Sequence, residues 1–179
     1  MLNNAIRSAM LSNDPINDVI IAPAMGEFWR FISSHQENGD LPDYKAINLM
    51  QIAHLVPDIW VYDLRGDTEL DRLYTAFCGS RIEEYWGHRF QGTNDMDFLG
   101  QNHVFDEIMA HRIHCIRNKK AGYTKRFIEY RESYKLTKFV KAECMLFPCS
   151  TNGDTVDWSI GYATYVNTND EGEDVYLEF

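Results

Sequence analysis

Leu41-Pro42, then Leu55-Val56-Pro57-Asp58-Ile59-Trp60-Val61-Tyr62-Asp63, Leu73-Tyr74-Thr75-Ala76-Phe77-Cys78-Gly79 and Trp86-Gly87-His88-Arg89-Phe90-Gln91-Gly92 are the segments of residues 41–92 that decide the fold. Ala46, Leu49, Met50, Ala53 and His54 make one short helical face, which Pro57 ends because the residue before a proline avoids the α region. Residues 59–64 read as a first strand, Arg65-Gly66-Asp67 as a turn, and residues 70–78 as a second strand rich in Tyr, Thr and Phe. A short helix over 81–86 follows and stops at Gly87, since glycine accepts the left-handed conformation that closes a helix.

Upstream, Pro23 is placed to open a helix, and Met25, Phe28, Ile32 and His35 follow at helical spacing to a stop near Asn38-Gly39. That apolar stripe must pack on something: the outer face of the chain's own sheet, or the same helix of a second subunit in a homodimer. Downstream, a long helix is expected over 102–118, then strands over 123–132, 136–149 and 155–166, with Asn152-Gly153 as the hairpin signal between the last two. On the fourth strand Val140, Ala142, Cys144 and Leu146 share one face, while Lys141, Glu143, Met145 and Phe147 share the other. Neither face looks solvated, so helices are expected on both. The division is then a weakly patterned segment 1–22, an N-terminal helix 23–40, an α+β domain 41–166 and an acidic tail 167–179 expected to be solvated.

Composition bounds the function. An apolar fraction of 45% with 13% aromatics supports a real core, and a net charge of −10 argues against general binding to nucleic acid or anionic membrane. The charge is uneven: ten of the 17 Lys and Arg lie between Arg112 and Lys141, against only Glu129 and Glu132. Cys78, Cys115, Cys144 and Cys149 form no Cys-x-x-Cys pair, which removes the usual zinc and redox motifs. No segment approaches 18 apolar residues and no signal-peptide pattern is present, so a cytoplasmic location with reduced thiols is expected.

With these motifs in place (Phe28-Trp29, Leu41-Pro42, residues 55–63, Phe77-Cys78-Gly79-Ser80-Arg81-Ile82 and residues 86–92), the chain resembles a PAS domain in its bacterial single-domain form with an N-terminal helical extension. The resemblance implies a five-stranded antiparallel sheet in the order 2-1-5-4-3, helices closing a pocket over one face, and a role in sensing or dimerisation. Fold alone does not choose between these.

The long helix carries the sharpest site residue. Val104, Phe105, Ile108, Met109, Ile113 and Ile116 occupy about half its circumference at roughly 100° per residue, and Arg112 falls near the middle of that arc. A charge there snorkels, meets a carboxylate, or binds an anionic ligand. The candidate ligand-binding set is Arg112, Ile108, Phe105, Tyr85, Trp86, Phe98, Tyr130 and Cys144. The resemblance also implies that a haem-binding version would ligate through this helix, with His111 best placed. Neither haem nor flavin is expected: His111 and Cys115 alone make no structural zinc site, six histidines scattered over 179 residues make one well-placed histidine a coincidence, and the family's flavin-adduct motif has no match. No nucleophile motif, phosphate loop or metalloprotease motif appears, so no enzyme is expected.

Three functions follow in order. The first is a sensor that binds a small molecule, an anionic one where Arg112 receives it, and acts on an unidentified signalling partner in trans. The second is an interaction module whose cavity is filled by its own aromatics. The third, more distant, is a nucleic-acid binder using residues 112–141.

Overall fold

A computed structural model of the protein describes residues 22–36, 41–99, 105–129 and 139–179. The weakly patterned N-terminal segment up to residue 21 and Tyr130 lie outside the described residues. In chain order the elements are α1 (Pro23–Ser33), two 3-10 turns (Leu49–Ile52 and Val56–Asp58), β1 (Ile59–Asp63), β2 (Tyr74–Cys78), α2 (Ser80–Trp86), α3 (Asp95–Leu99), α4 (Asp106–Arg117), β3 (Gly122–Glu129), β4 (Phe139–Cys149), β5 (Trp158–Thr168) and β6 (Val175–Glu178). The sheet runs β2-β1-β5-β4-β3-β6 with every pair antiparallel. Its first five positions are the order expected from sequence.

Alternation along the strands sends two sets of side chains to opposite faces, and each face has its own core. Ile59, Val61, Met145, Phe147, Ile160 and Tyr162 meet α1 on the outer face. Trp60, Tyr62, Cys144, Leu146 and Ala163 meet α2, α3 and α4 on the inner face. The α1 stripe is fully covered: Met25, Phe28 and Ile32 are each 0% exposed. The Phe28 ring stacks on Tyr162 at 5.4 Å and meets Phe147 edge-on at 6.0 Å. The stripe therefore serves the chain's own sheet, and the expectation of a homodimer through these three residues does not fit their burial.

Three boundaries differ from the sequence reading, each for a local reason. The second strand begins at Tyr74 rather than residue 70, because Leu70 and Leu73 take φ of 55° and 51°, which no strand accommodates. Asp67 holds that loop: its carboxylate accepts the backbone N–H of Asp71, Arg72 and Leu73 at 3.2, 3.2 and 3.0 Å. Burial pushes the Asp67 carboxyl up, but these N–H groups more than offset it and hold it below its ordinary value. The last long strand begins at Trp158 rather than residue 155, because Asp157 turns back to bind the Thr151 N–H at 2.9 Å and the Thr151 hydroxyl. Asn152-Gly153 thus sits in a loop over 150–157 instead of a two-residue hairpin.

The third difference is the tail. Residues expected to be solvated supply β6, which pairs with β3 from Gly122↔Glu178 to Lys125↔Val175. The basic segment explains why. Asp174 binds Arg126 Nε at 2.9 Å and accepts the Phe127 N–H at 2.9 Å. Glu178 meets His114 at 2.8 Å and Lys120 at 3.7 Å. Exposed pairs are individually weak, so apolar contact does most of the anchoring. Val175, Leu177 and Phe179 pack against the outer core, with the Phe179 ring 5.2 Å from Trp29.

Phe28→Ala should cost about 3–5 kcal/mol, the usual cost of deleting a fully buried ring. Urea unfolding followed by far-ultraviolet circular dichroism reads this. A loss under about 1 kcal/mol would mean that α1 does not anchor the outer core.

Candidate functional site

The inner face is organised around one charged side chain. Helix α4 lies close to the sheet because Gly122 has no side chain; a Cβ there would sit 2.6 Å from Cys115 Sγ. That approach directs Arg112 into the inner core, where it is only 8% exposed. Its Nη1 donates to the Tyr62 hydroxyl at 2.7 Å. The Tyr62 hydroxyl in turn donates to Asp95 Oδ2. Thr75 Oγ1 donates to Asp95 Oδ1 at 2.5 Å, and Arg112 Nη1 stands 3.9 Å from Asp95 Oδ2. A relay of four residues from α4, β1, β2 and α3 thus neutralises a buried cation.

The same guanidinium stacks. Its Cζ lies 4.7 Å from the centre of the Trp60 ring, within the range of a cation–π contact. Trp60 can lie flat there because its cross-strand partner is Gly161. A Cβ at Gly161 would fall 2.1 Å from the indole, so glycine is required for this close approach.

Between α4 and the sheet is a cavity of about 50 Å³. Arg112, Tyr62, Thr75 and Asp95 give it one polar end. Trp60, Trp86, Phe105, Ile108, Cys144 and Tyr165 are among its apolar walls. Two donors of this lining, Arg112 Nε and Trp60 Nε1, are buried and have no hydrogen-bond partner among the described residues.

Burial pushes the Asp95 carboxyl above its ordinary value, opposed by the hydrogen bonds from Thr75 and Tyr62 and by the Arg112 charge. Burial also raises the Tyr62 phenol far enough to keep it a donor. The Cys78 and Cys115 thiols are pushed up to about 12, and Cys144 is raised as well, all chiefly by burial. These cysteines remain thiols at neutral pH, poor as nucleophiles and as metal ligands. Among the described residues no group of three His, Cys, Asp or Glu is placed to hold a metal.

Of the sequence candidates, Arg112, Ile108, Phe105, Trp86 and Cys144 line the cavity. Tyr85 does not: it stacks on the Tyr165 ring at 4.4 Å and faces a surface groove with Asp58 and Arg81. Phe98 packs one layer out, stacked on His88 at 4.1 Å. His111 is also outside the cavity. It faces Cys115 Sγ at 3.6 Å and the Tyr176 ring at 5.3 Å, and burial lowers its pKa. Arg112, one residue along the helix, is the side chain that lines the cavity instead.

Sequence reasoning missed Trp60, Tyr62, Thr75, Asp95 and Gly161. Gly161 carried a usable signal, a glycine interrupting a run of strand formers. Asp95 carried none, since its partners lie 20 and 33 residues away.

The antiparallel order of the sheet, the helices on its inner face and the cavity between them define a PAS-like α+β fold. No protein-family model matches the chain, and no curated protein matches it by sequence. Among solved structures it is similar to VqmA bound to DPO, at 14% identity and a TM-score of 0.46, over 66% of this chain and 58% of that one. It is also similar to a Rhodobacter sphaeroides LOV protein, at 10% identity and a TM-score of 0.43, over 79% of this chain and 67% of that one. A fungal LOV domain photoreceptor matches at 16% identity and a TM-score of 0.43, over 86% of this chain and 98% of that one. The alignment thus spans less than two thirds of the VqmA chain.

Gly161→Ala should displace the Trp60 ring and unseat Arg112, costing about 1–3 kcal/mol as an overpacked core does. Changed near-ultraviolet circular dichroism should accompany the lost stability; an unchanged spectrum would refute the stacking. A second expectation concerns pH. Because the folded pKa of Asp95 is raised, its favourable contribution is complete below the unfolded value near 3.8 and is lost as pH rises through the folded value. The stability advantage of the wild type over Asp95→Asn should therefore shrink across that window and then level off. Denaturant titrations of both proteins from pH 4 upward read it, and a widening gap would reverse the sign assigned here.

Proposed function

We propose that this chain is a PAS-type sensory domain of the cytoplasm that admits a small molecule to the inner cavity and passes its state to a partner. The observation that supports this most directly is the polar end of that cavity: a buried, charge-matched Arg112 whose Nε is left over as a donor. Pockets that bind small molecules combine apolar walls with a few placed polar groups, and this one has that composition. Binding biases a conformational equilibrium only if the two states differ in affinity for the ligand. Helix α4 is the element through which such a difference acts, since it carries Arg112, Ile108 and His114, the last paired with Glu178 of β6. The reading is of a binding protein, not an enzyme, and buried thiols held protonated are in keeping with that.

A second reading, a ligand-free interaction module, is favoured by the cavity's size. About 50 Å³ accommodates one or two waters, whereas a benzene-sized guest needs a cavity nearer 150 Å³. A ligand larger than that must move wall residues such as Trp86, which is only partly buried.

Two proteins decide between the readings: the wild type and the double variant Arg112→Met with Asp95→Asn. The variant removes both charges together, which avoids leaving one buried and unpaired. Each is purified, its absorption spectrum is recorded, it is denatured, and released molecules are identified by mass spectrometry. The sensor reading expects a molecule released by the wild type at several times the amount released by the folded variant. Equal release from both would sink the assignment to this cavity. No release, together with no thermal stabilisation by cell-extract metabolites, would favour the interaction module.

A further inference from the structure

Two facts about the cavity bear on what it takes, given the sensor reading on which this inference rests. The first is that the two buried polar atoms of its lining left with no partner among the described residues are both donors. Arg112 Nε and Trp60 Nε1 lack partners, and neither group can accept a hydrogen bond. The residues that carry them are in contact, with the guanidinium carbon 4.7 Å from the centre of the indole. The second is that the charge of Arg112 already has its counterpart. Asp95 lies 3.9 Å away, with the Tyr62 hydroxyl bonded to both. A carboxylate brought to Arg112 would add a second negative charge beside Asp95 in an apolar enclosure, where like charges repel strongly.

We infer that the cavity selects a small, largely apolar, uncharged molecule whose one hydrogen-bond acceptor, a carbonyl oxygen or equivalent, is received by Arg112 Nε and Trp60 Nε1. The anionic ligand that a lone arginine would suggest is thereby replaced by a neutral one. Asp95 acts as a selectivity residue: it cancels the cation that would otherwise attract acids. Trp60 has both a wall role and a polar one. Its ring supports the guanidinium, and its N–H recognises the ligand. A donor left unmade in a buried site disfavours an analogue lacking the acceptor, by about tenfold for each lost bond.

The test uses three small-ring probes on the full chain: cyclopentanone, cyclopentane and cyclobutanecarboxylate, each larger than the closed cavity of about 50 Å³, so that each enters only by moving wall residues such as Trp86. Each is titrated against 15N-labelled protein, with the Trp60 indole N–H assigned by its disappearance in Trp60→Phe. Cyclopentanone should shift that resonance downfield and bind at least tenfold tighter than cyclopentane. Cyclobutanecarboxylate should bind more weakly than the ketone in the wild type and gain on it in Asp95→Asn. In Trp60→Phe, which keeps a ring under the guanidinium, the preference for ketone over hydrocarbon should fall. If the carboxylate binds tightest to the wild type, the neutral-ligand inference is overturned while the cavity reading stands. If ketone and hydrocarbon bind equally, the acceptor is not recognised, and again only the inference fails. If no probe perturbs any cavity residue, the binding-site reading itself fails with it.

Discussion

A guanidinium inside an apolar core is tolerable only if its charge and its N–H groups are met, and the inner half of this protein is arranged to meet those of Arg112. Three different elements supply the response: Tyr62 from β1, Thr75 from β2 and Asp95 from α3. A fourth contribution is the absence of a side chain at Gly161, which lets Trp60 lie under the cation. Such a group would not improve stability relative to a well-packed apolar substitute. It does fix relative positions, because breaking any one contact leaves a buried polar atom exposed to nothing that can solvate it. The helices of the inner face are short, so this network sets the position of α3 and α4 more firmly than their apolar contacts alone would.

The outer face is held by different means. Its core is aromatic and aliphatic: Phe28 between Tyr162 and Phe147, and Trp29 between Phe147 and Phe179. The result is a sheet with an apolar face under α1 and a mixed face under α4, and the alternation of β4 and β5 serves both. One-residue slippage in either strand would exchange the two sets, placing Met145 and Phe147 in the cavity and Cys144 beneath α1. The small residues Ala142, Cys144, Gly161 and Ala163 lie on the inner side, where space for the cavity and for Trp60 is needed. The bulky ones lie on the outer side, where a helix must be gripped.

Most of the architecture was legible because it depends on period. The two-fold alternation of β4 and β5, the stripe on α1 and the arc on α4 are each local patterns, and each led to the observed packing. Arg112 stood out for the same reason, a charge inside an apolar arc. What the sequence did not show is what depends on pairing between distant segments. Asp95 looked like a loop acid, and only folding brings it to Tyr62 and Thr75. Tyr85 and Phe98 looked like pocket residues because they are aromatic and near the right helices, but a change of one or two positions in a short helix turns a side chain from the cavity to the next layer. The tail failed differently. Its five acids suggested solvation, while the two-residue spacing of Val175, Leu177 and Phe179, with Tyr176 and Glu178 between them, is the pattern of a strand. The uneven charge of the chain is resolved when β6 lays Asp174 and Glu178 against the basic segment of β3 and α4.

That docking has a mechanical consequence for how the two faces are related. Helix α4 lies over the cavity, yet its outward residues are tied to β6: His114 to Glu178 at 2.8 Å, Glu107 to the Tyr176 hydroxyl at 3.3 Å, and His111 to the Tyr176 ring. The strand is followed by Phe179, whose ring meets Trp29 of α1 on the opposite side of the sheet. A sheet ordinarily separates the helices on its two faces, because its hydrogen-bonded backbone resists bending. Here β6 is an edge strand with a ladder on one side only, joined to β3 over four residue pairs. It shares that edge position with β2, and it touches helices on both faces. Any displacement of α4 large enough to enlarge a cavity of about 50 Å³ must therefore either break the contacts to β6 or carry the strand with it, and in the second case α1 moves as well.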